Sequence, residues 1–127
     1  MGATLNDLGR YEEALTAFDR ALTLDPNHIN ARFARSGALA NLGREEAVIA
    51  YDHALLLDPN NALGWISKGN VLYALERREE ALVAYEYALE LNHNHAAAWS
   101  GKGVALRALG YVAEAEVAER RAKQLGG

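Results

Sequence analysis

One short stretch occurs four times along this chain, and a chain built that way buries its apolar faces mainly against copies of the same unit. Gly9-Arg10-Tyr11-Glu12-Glu13-Ala14 leads into an apolar run that closes on Asp25-Pro26-Asn27. The order comes back as Gly43-Arg44-Glu45-Glu46-Ala47 running to Asp58-Pro59-Asn60, and then as Glu76-Arg77-Arg78-Glu79-Glu80-Ala81. A weaker copy reads Gly110-Tyr111-Val112-Ala113-Glu114-Ala115. Leu8 to Leu42, Gly9 to Gly43, Trp65 to Trp99, Gly69 to Gly103, Ala81 to Ala115 and Ala88 to Ala122 are each 34 residues apart. Ala14 to Ala47, Phe18 to Tyr51, Ala21 to Ala54 and Pro26 to Pro59 are 33 apart, so the second copy lacks one residue after Gly43, the counterpart of Tyr11.

Within each copy the apolar spacing is helical on both sides of that stretch. Before it, Ala34, Ala38, Leu39 and Leu42 recur at helix period, as do Val71, Leu72 and Leu75. After it, Ala14, Phe18, Ala21 and Leu22 lie about one turn apart, as do Ala47, Tyr51, Ala54 and Leu55. The paired glutamates place negative charge in the first turn of the second helix, where the helix dipole favours it. Pro ends that helix, because it cannot donate to the ladder and disfavours helix in the residue before it. The pattern predicts helices over 2–8, 12–24, 30–42, 45–57, 63–75, 79–91, 97–109 and 112–125.

These residues resemble the tetratricopeptide repeat family, a helix–turn–helix unit of 34 residues. Trp65, Gly69, Leu72, Ala81, Tyr85 and Ala88 fill its pattern in the third copy, and Ala14, Phe18, Ala21 and Pro26 fill the second half in the first. The resemblance implies an all-α fold, a right-handed superhelical solenoid of antiparallel helix pairs. It would form a single array over residues 1–127, with repeats at 1–28 (partial), 29–61, 62–95 and 96–127. Several positions depart from the pattern. Arg32 stands where later copies have Trp65 and Trp99, His93 replaces Pro, and Glu76 replaces Gly. The first copy begins in mid-helix, which reads as an array cut from a longer one. In the fourth, Glu116, Glu119 and Lys123 take the slots of Leu15, Phe18 and Leu22, the polar outer face expected of a terminal repeat.

Composition narrows the function. Thirteen basic against seventeen acidic side chains leave a net charge of −4 with no basic block, a poor match to the phosphate neutralisation that nucleic-acid binding needs. There is no cysteine, so thiolate chemistry is excluded. No apolar run reaches the roughly 18 residues of a membrane span. The N-terminus has no basic-then-apolar leader pattern, so a cytoplasmic, non-membrane protein is expected. Neighbouring glutamates on a helix do not face one another, and no phosphate loop, nucleophile elbow or metalloprotease motif occurs, so no enzyme, cofactor or metal site is expected. His28, His93 and His95 fall in predicted loops, too few to converge as a metal centre, and His53 lies in an exposed helical slot.

The resemblance implies that the first helices of successive repeats line a concave groove for a protein or peptide partner. The groove residues are Asn30, Phe33 and Asn41 (with Gly37 and Ala40), Leu63, Ile66, Asn70 and Tyr73 (with Ala74), and Val104 and Arg107 (with Ala97, Ser100 and Ala108). Asn70 would bond a peptide backbone and Arg107 a carboxylate. Asp in place of Phe33, Ile66 or Tyr73 is expected to abolish binding and leave helicity intact. Of the basic clamp that chaperone-binding members use, only Asn70 is present; Phe33, Ala34, Leu63 and Gly101 occupy the other slots. The alternative is self-association as a homodimer. Leu15, Phe18 and Leu22 would be exposed for end-to-end packing, or a turn would open so that two chains exchange repeats. The hinges named for that are Gly43, Arg44 and Glu45, one residue short, and Glu76, Arg77 and Arg78, which have no turn-forming residue.

Overall fold

In a computed structural model the chain is described over residues 5–43 and 45–126; Arg44, one of the hinge residues, and the predicted helix start at 2–4 fall outside them. Those residues form seven helices and no strand. They fall into two compact units, residues 1–59 and 60–127. The first holds α1 (Leu5–Leu24), α2 (Ile29–Asn41) and α3 (Glu46–Leu57). The second holds α4 (Ala62–Ala74), α5 (Arg78–Leu91), α6 (Ala96–Ala108) and α7 (Val112–Gln124). In each unit consecutive helices pack on one another, and in the second α4 also touches α6.

The spacing of small residues dictates how closely these helices approach. Ala47 and Ala54 in the first unit, and Ala81, Ala88, Ala98, Ala105 and Ala115 in the second, are fully buried. Leu39 and Leu72, at equivalent positions of α2 and α4, are each 1% exposed and anchor their pairs. In the last pair Leu106 packs with Ala115 and Ala118, flanked by Leu82 and Trp99.

The connections follow from backbone accounting. In α4 the amide of Arg77 donates to the Leu72 carbonyl at 2.8 Å and that of Glu76 to Tyr73 at 3.0 Å, the paired closure that ends a helix with a left-handed residue. Tyr111 to Leu106 (2.9 Å) and Gly110 to Arg107 (3.1 Å) repeat it after α6. The left-handed residues between helices are Gly43 (φ 69°), Glu76 (φ 64°) and Gly110 (φ 91°). In the first turn of α3, Val48 bonds back three residues to Glu45 at 3.0 Å; in α5 and α7, Ala81 and Ala115 bond back four, to Arg77 and Tyr111. Between copies, the Asp25 and Asn92 side chains accept the amides of Asn27 and Asn94, each at 3.2 Å, and set the next helix start.

Two expectations for the first copy fail. The turn predicted at Gly9 is absent: α1 runs unbroken from Leu5 to Leu24 through Gly9, Arg10 and Tyr11. A left-handed turn is held shut by the helix that folds back behind it, and the described residues before Gly9 amount to about one turn. Leu15, expected to be exposed, is 7% exposed against the rest of its unit, while Phe18 and Leu22 are half-buried.

Candidate functional site

The second unit has a concavity of about 400 Å³ between α4, α5 and α6. Ile66, Asn70 and Tyr73 come from α4, Tyr85 from α5, and Ala97, Ser100, Gly101 and Val104 from α6. The helical spacing of Ile66, Asn70 and Tyr73 puts them on one face of α4, and that of Ala97, Ser100, Gly101 and Val104 does the same on α6.

Tyr85 builds the floor. A Cβ on Gly69 would stand 2.8 Å from its ring, and one on Gly101 would overlap the same ring, so two glycines from two helices make the slot for one tyrosine. Its hydroxyl donates to Asn70 Oδ1 at 2.5 Å, which fixes the Asn70 amide and turns its NH2 donor away from the phenol. Burial pushes the Tyr85 phenol up to about 12, with Tyr73 nearby adding to the shift, so it stays neutral and a donor at physiological pH. Sequence reasoning placed Tyr85 as a packing residue beside Ala88, with Gly69 as a point of close helix approach. It missed Gly101 as the second wall of that slot, which only the approach of α6 reveals.

The expected groove residues divide. Asn70, Tyr73 and Val104 line the concavity with their surfaces open, Val104 at 44%. Ile66 lines it too but is only 3% exposed, so Ile66→Asp would disturb folding as well as any surface role. Leu63 is 62% exposed and is not part of the lining. Arg107 carries a two-pronged pair with Glu119, Nε to Oε2 at 3.0 Å and Nη2 to Oε1 at 2.7 Å. That pair raises the Arg107 guanidinium and holds the Glu119 carboxyl below the usual range, so an incoming carboxylate would have to displace Glu119. In the first unit Asn30 and Asn41 are exposed, and Asn41 Nδ2 donates to the Gly37 carbonyl at 3.0 Å. Phe33 is half-buried with its ring 6.4 Å from that of Tyr51.

The histidines and hinges resolve locally. His28 Nδ1 accepts the Ala31 amide at 3.1 Å and caps α2, as Asn61 caps α4 through Gly64 at 2.9 Å. The His93 carbonyl accepts the indole N–H of Trp99 at 2.7 Å, and Arg32 Nε makes the equivalent bond to the Pro26 carbonyl at 2.7 Å. Arginine at the tryptophan position therefore keeps the same loop anchor. Among the described residues no three His, Cys, Asp or Glu side chains group as a metal site, and no helix is long and apolar enough to cross a membrane. Gly43 and Glu76 are left-handed turn residues, Glu45 is the residue just before α3, and Arg77 grips Glu80 through Nε–Oε1 (2.9 Å) and Nη2–Oε2 (2.6 Å) at the start of α5. Arg78 is the first residue of α5.

Paired helices repeated at one period, with small residues at each crossing, define an all-α helical-repeat protein. The tetratricopeptide repeat model matches residues 1–28 and 62–95, and the repeats over those two stretches belong to that family. Among solved structures it is similar to MamA 41-end from Desulfovibrio magneticus RS-1, with a TM-score of 0.86 and 22% identity over 96% of this chain and 70% of that one. It is also similar to the second tetratricopeptide domain of Spaghetti (RPAP3) bound to the HSP90 peptide SRMEEVD, with a TM-score of 0.74 and 22% identity over 76% of this chain and 91% of that one. A search of the curated proteins gives no match.

Proposed function

We propose that this chain is a non-catalytic binding scaffold, acting in the cytoplasm, that holds a segment of a protein partner in the concavity of its second unit. The observation that carries the reading is that concavity itself: Ile66, Ala97 and Val104 give it an apolar bed, and Asn70 and Ser100 give it polar handles. Such a surface suits a short helix or extended strand that inserts an apolar side chain and offers backbone groups to an amide. The RPAP3 domain, which shares the fold, is bound to a peptide. A segment ending in a carboxylate fits less well here, because Glu119 already occupies Arg107.

The test begins with a photo-crosslinking amino acid at Val104 in the intact chain, followed by mapping of the captured segment. Val104→Glu and Ala97→Glu, both at exposed positions, should then weaken binding of that segment at least tenfold with the helical signal unchanged. Affinity unchanged in both variants would show that the partner binds elsewhere.

A further inference from the structure

The slot that Gly69 opens for Tyr85 recurs 34 residues further on with a different tenant: Gly103 follows Gly69, and Glu119 follows Tyr85, by that period. A Cβ on Gly103 would stand 2.9 Å from Glu119 Cγ, so the bare glycine lets the glutamate stem lie against α6 as the Tyr85 ring lies against α4. The ring delivers a hydroxyl to Asn70 at 2.5 Å. The stem delivers a carboxylate to Arg107, with Oε1 at 2.7 Å and Oε2 at 3.0 Å. Arg107 itself comes 34 residues after Tyr73, which lines the concavity, and three after Val104, so it continues that face of α6 by about one turn.

Charge is what the exchange alters. The lining of the concavity carries no acidic or basic side chain. Of the two cations on α6, Lys102 is engaged elsewhere, 5.2 Å from the Trp99 ring and 3.5 Å from Glu86. The other is Arg107, and its Nε–Nη2 edge is filled by Glu119, with Glu116 adding negative potential nearby. Two-pronged carboxylate pairs are the strong form of guanidinium contact. Both side chains stay partly open, Arg107 at 47% and Glu119 at 37%, so a segment lying in the concavity can reach the pair.

We propose that Glu119 sets the charge selectivity of the concavity: by occupying Arg107 it makes the site one for an uncharged segment and turns away a segment that brings a carboxylate to the Val104 end. This rests on the reading that the partner segment lies in the concavity. An uncharged segment meets a neutral ion pair and loses nothing to it. A carboxylate meets a filled fork and a like charge, and it gains Arg107 only by displacing Glu119. Removing the Glu119 charge uncovers a cation beside an apolar bed, and the preference shifts toward segments that carry a carboxylate.

Two pools of random short peptides, alike except for a free C-terminal carboxylate in one and an amide in the other, are the probe against the full chain. The parent should retain the amide pool at least as well as the acid pool. Glu119→Gln, which keeps the shape of the side chain, should shift that ratio at least tenfold toward the acid pool, a change that a purely structural ion pair would not produce. Glu119→Ala, smaller in the same slot, should shift it the same way. The double variant Glu119→Gln/Arg107→Gln should return the ratio to that of the parent. Ala97→Glu, at an exposed position of the concavity, separates this proposal from the reading beneath it. If it weakens retention of the amide pool while both Glu119 variants leave the ratio unchanged, the concavity is the site and this proposal falls alone. If Ala97→Glu has no effect, or the parent retains neither pool, both fall. A parent that prefers the acid pool, or a double variant as acid-selective as Glu119→Gln, overturns the proposal as well.

Discussion

Glu76 is the residue whose replacement most directly tests the turn chemistry. Its φ of 64° is the one left-handed value held by a residue other than glycine among the described residues, and the turn it sits in is closed by the Arg77–Leu72 and Glu76–Tyr73 hydrogen bonds at 2.8 and 3.0 Å. A side chain in that region costs roughly 1–2 kcal/mol, because Cβ crowds the following carbonyl. Glycine removes that cost and gives back part of it, roughly 0.5–1 kcal/mol, through the greater freedom of the unfolded chain. The net expectation for Glu76→Gly is stabilisation by about 0.5–1 kcal/mol. In a domain of 60–100 residues, the size class of the second unit, about 1 kcal/mol moves Tm by roughly 4–8 °C, so a rise of about 2–8 °C is expected. Urea melts and calorimetry on the full chain measure it, with Glu76→Ala as the control that keeps Cβ. Glu76→Gly no more stable than Glu76→Ala would refute the argument, since only the conformational cost distinguishes them.

Two further outcomes follow from the Tyr85 slot. Gly101→Ala should destabilise the second unit by about 1–3 kcal/mol, because the added methyl overlaps a buried ring held by Asn70, and denaturant melts read this directly. The Tyr85 phenol, pushed up to about 12 from an ordinary 10.0, should make stability independent of this group below pH 10 and lower it progressively as pH rises from 10 toward 12. The sign follows from linkage: over that window the unfolded chain has lost a proton that the folded one keeps. Tyr85→Phe should flatten that part of the alkaline stability curve, and an unchanged curve would remove the assignment.

The repeat period, the alternation of small and large residues and the Asp-Pro-Asn stops are local signals, and the sequence by itself determined from them the helix pairs after Pro26, within about one residue at most ends. The histidine readings were partly legible: the loop placement of His28 and His93 could be read, but the cap made by His28 could not, because it depends on where the Ala31 amide points. Arg32 looked like a departure from its tryptophan position, and only the folded loop shows that it reaches the same carbonyl. Ile66 and Val104 both fit a groove stripe; burial separates them, because it depends on which neighbouring helix covers each. Glu119 holds Arg107 across two helices, a pairing twelve residues apart that no local rule gives. Gly9 shows the division most plainly. Its sequence context matches the closed turns at Gly43 and Gly110, yet glycine permits either conformation, and at Gly43 and Gly110 the left-handed one joins a preceding and a following helix that pack against each other. Sequence alone determined where the chain is able to turn; the tertiary contacts of each pair decided where it does.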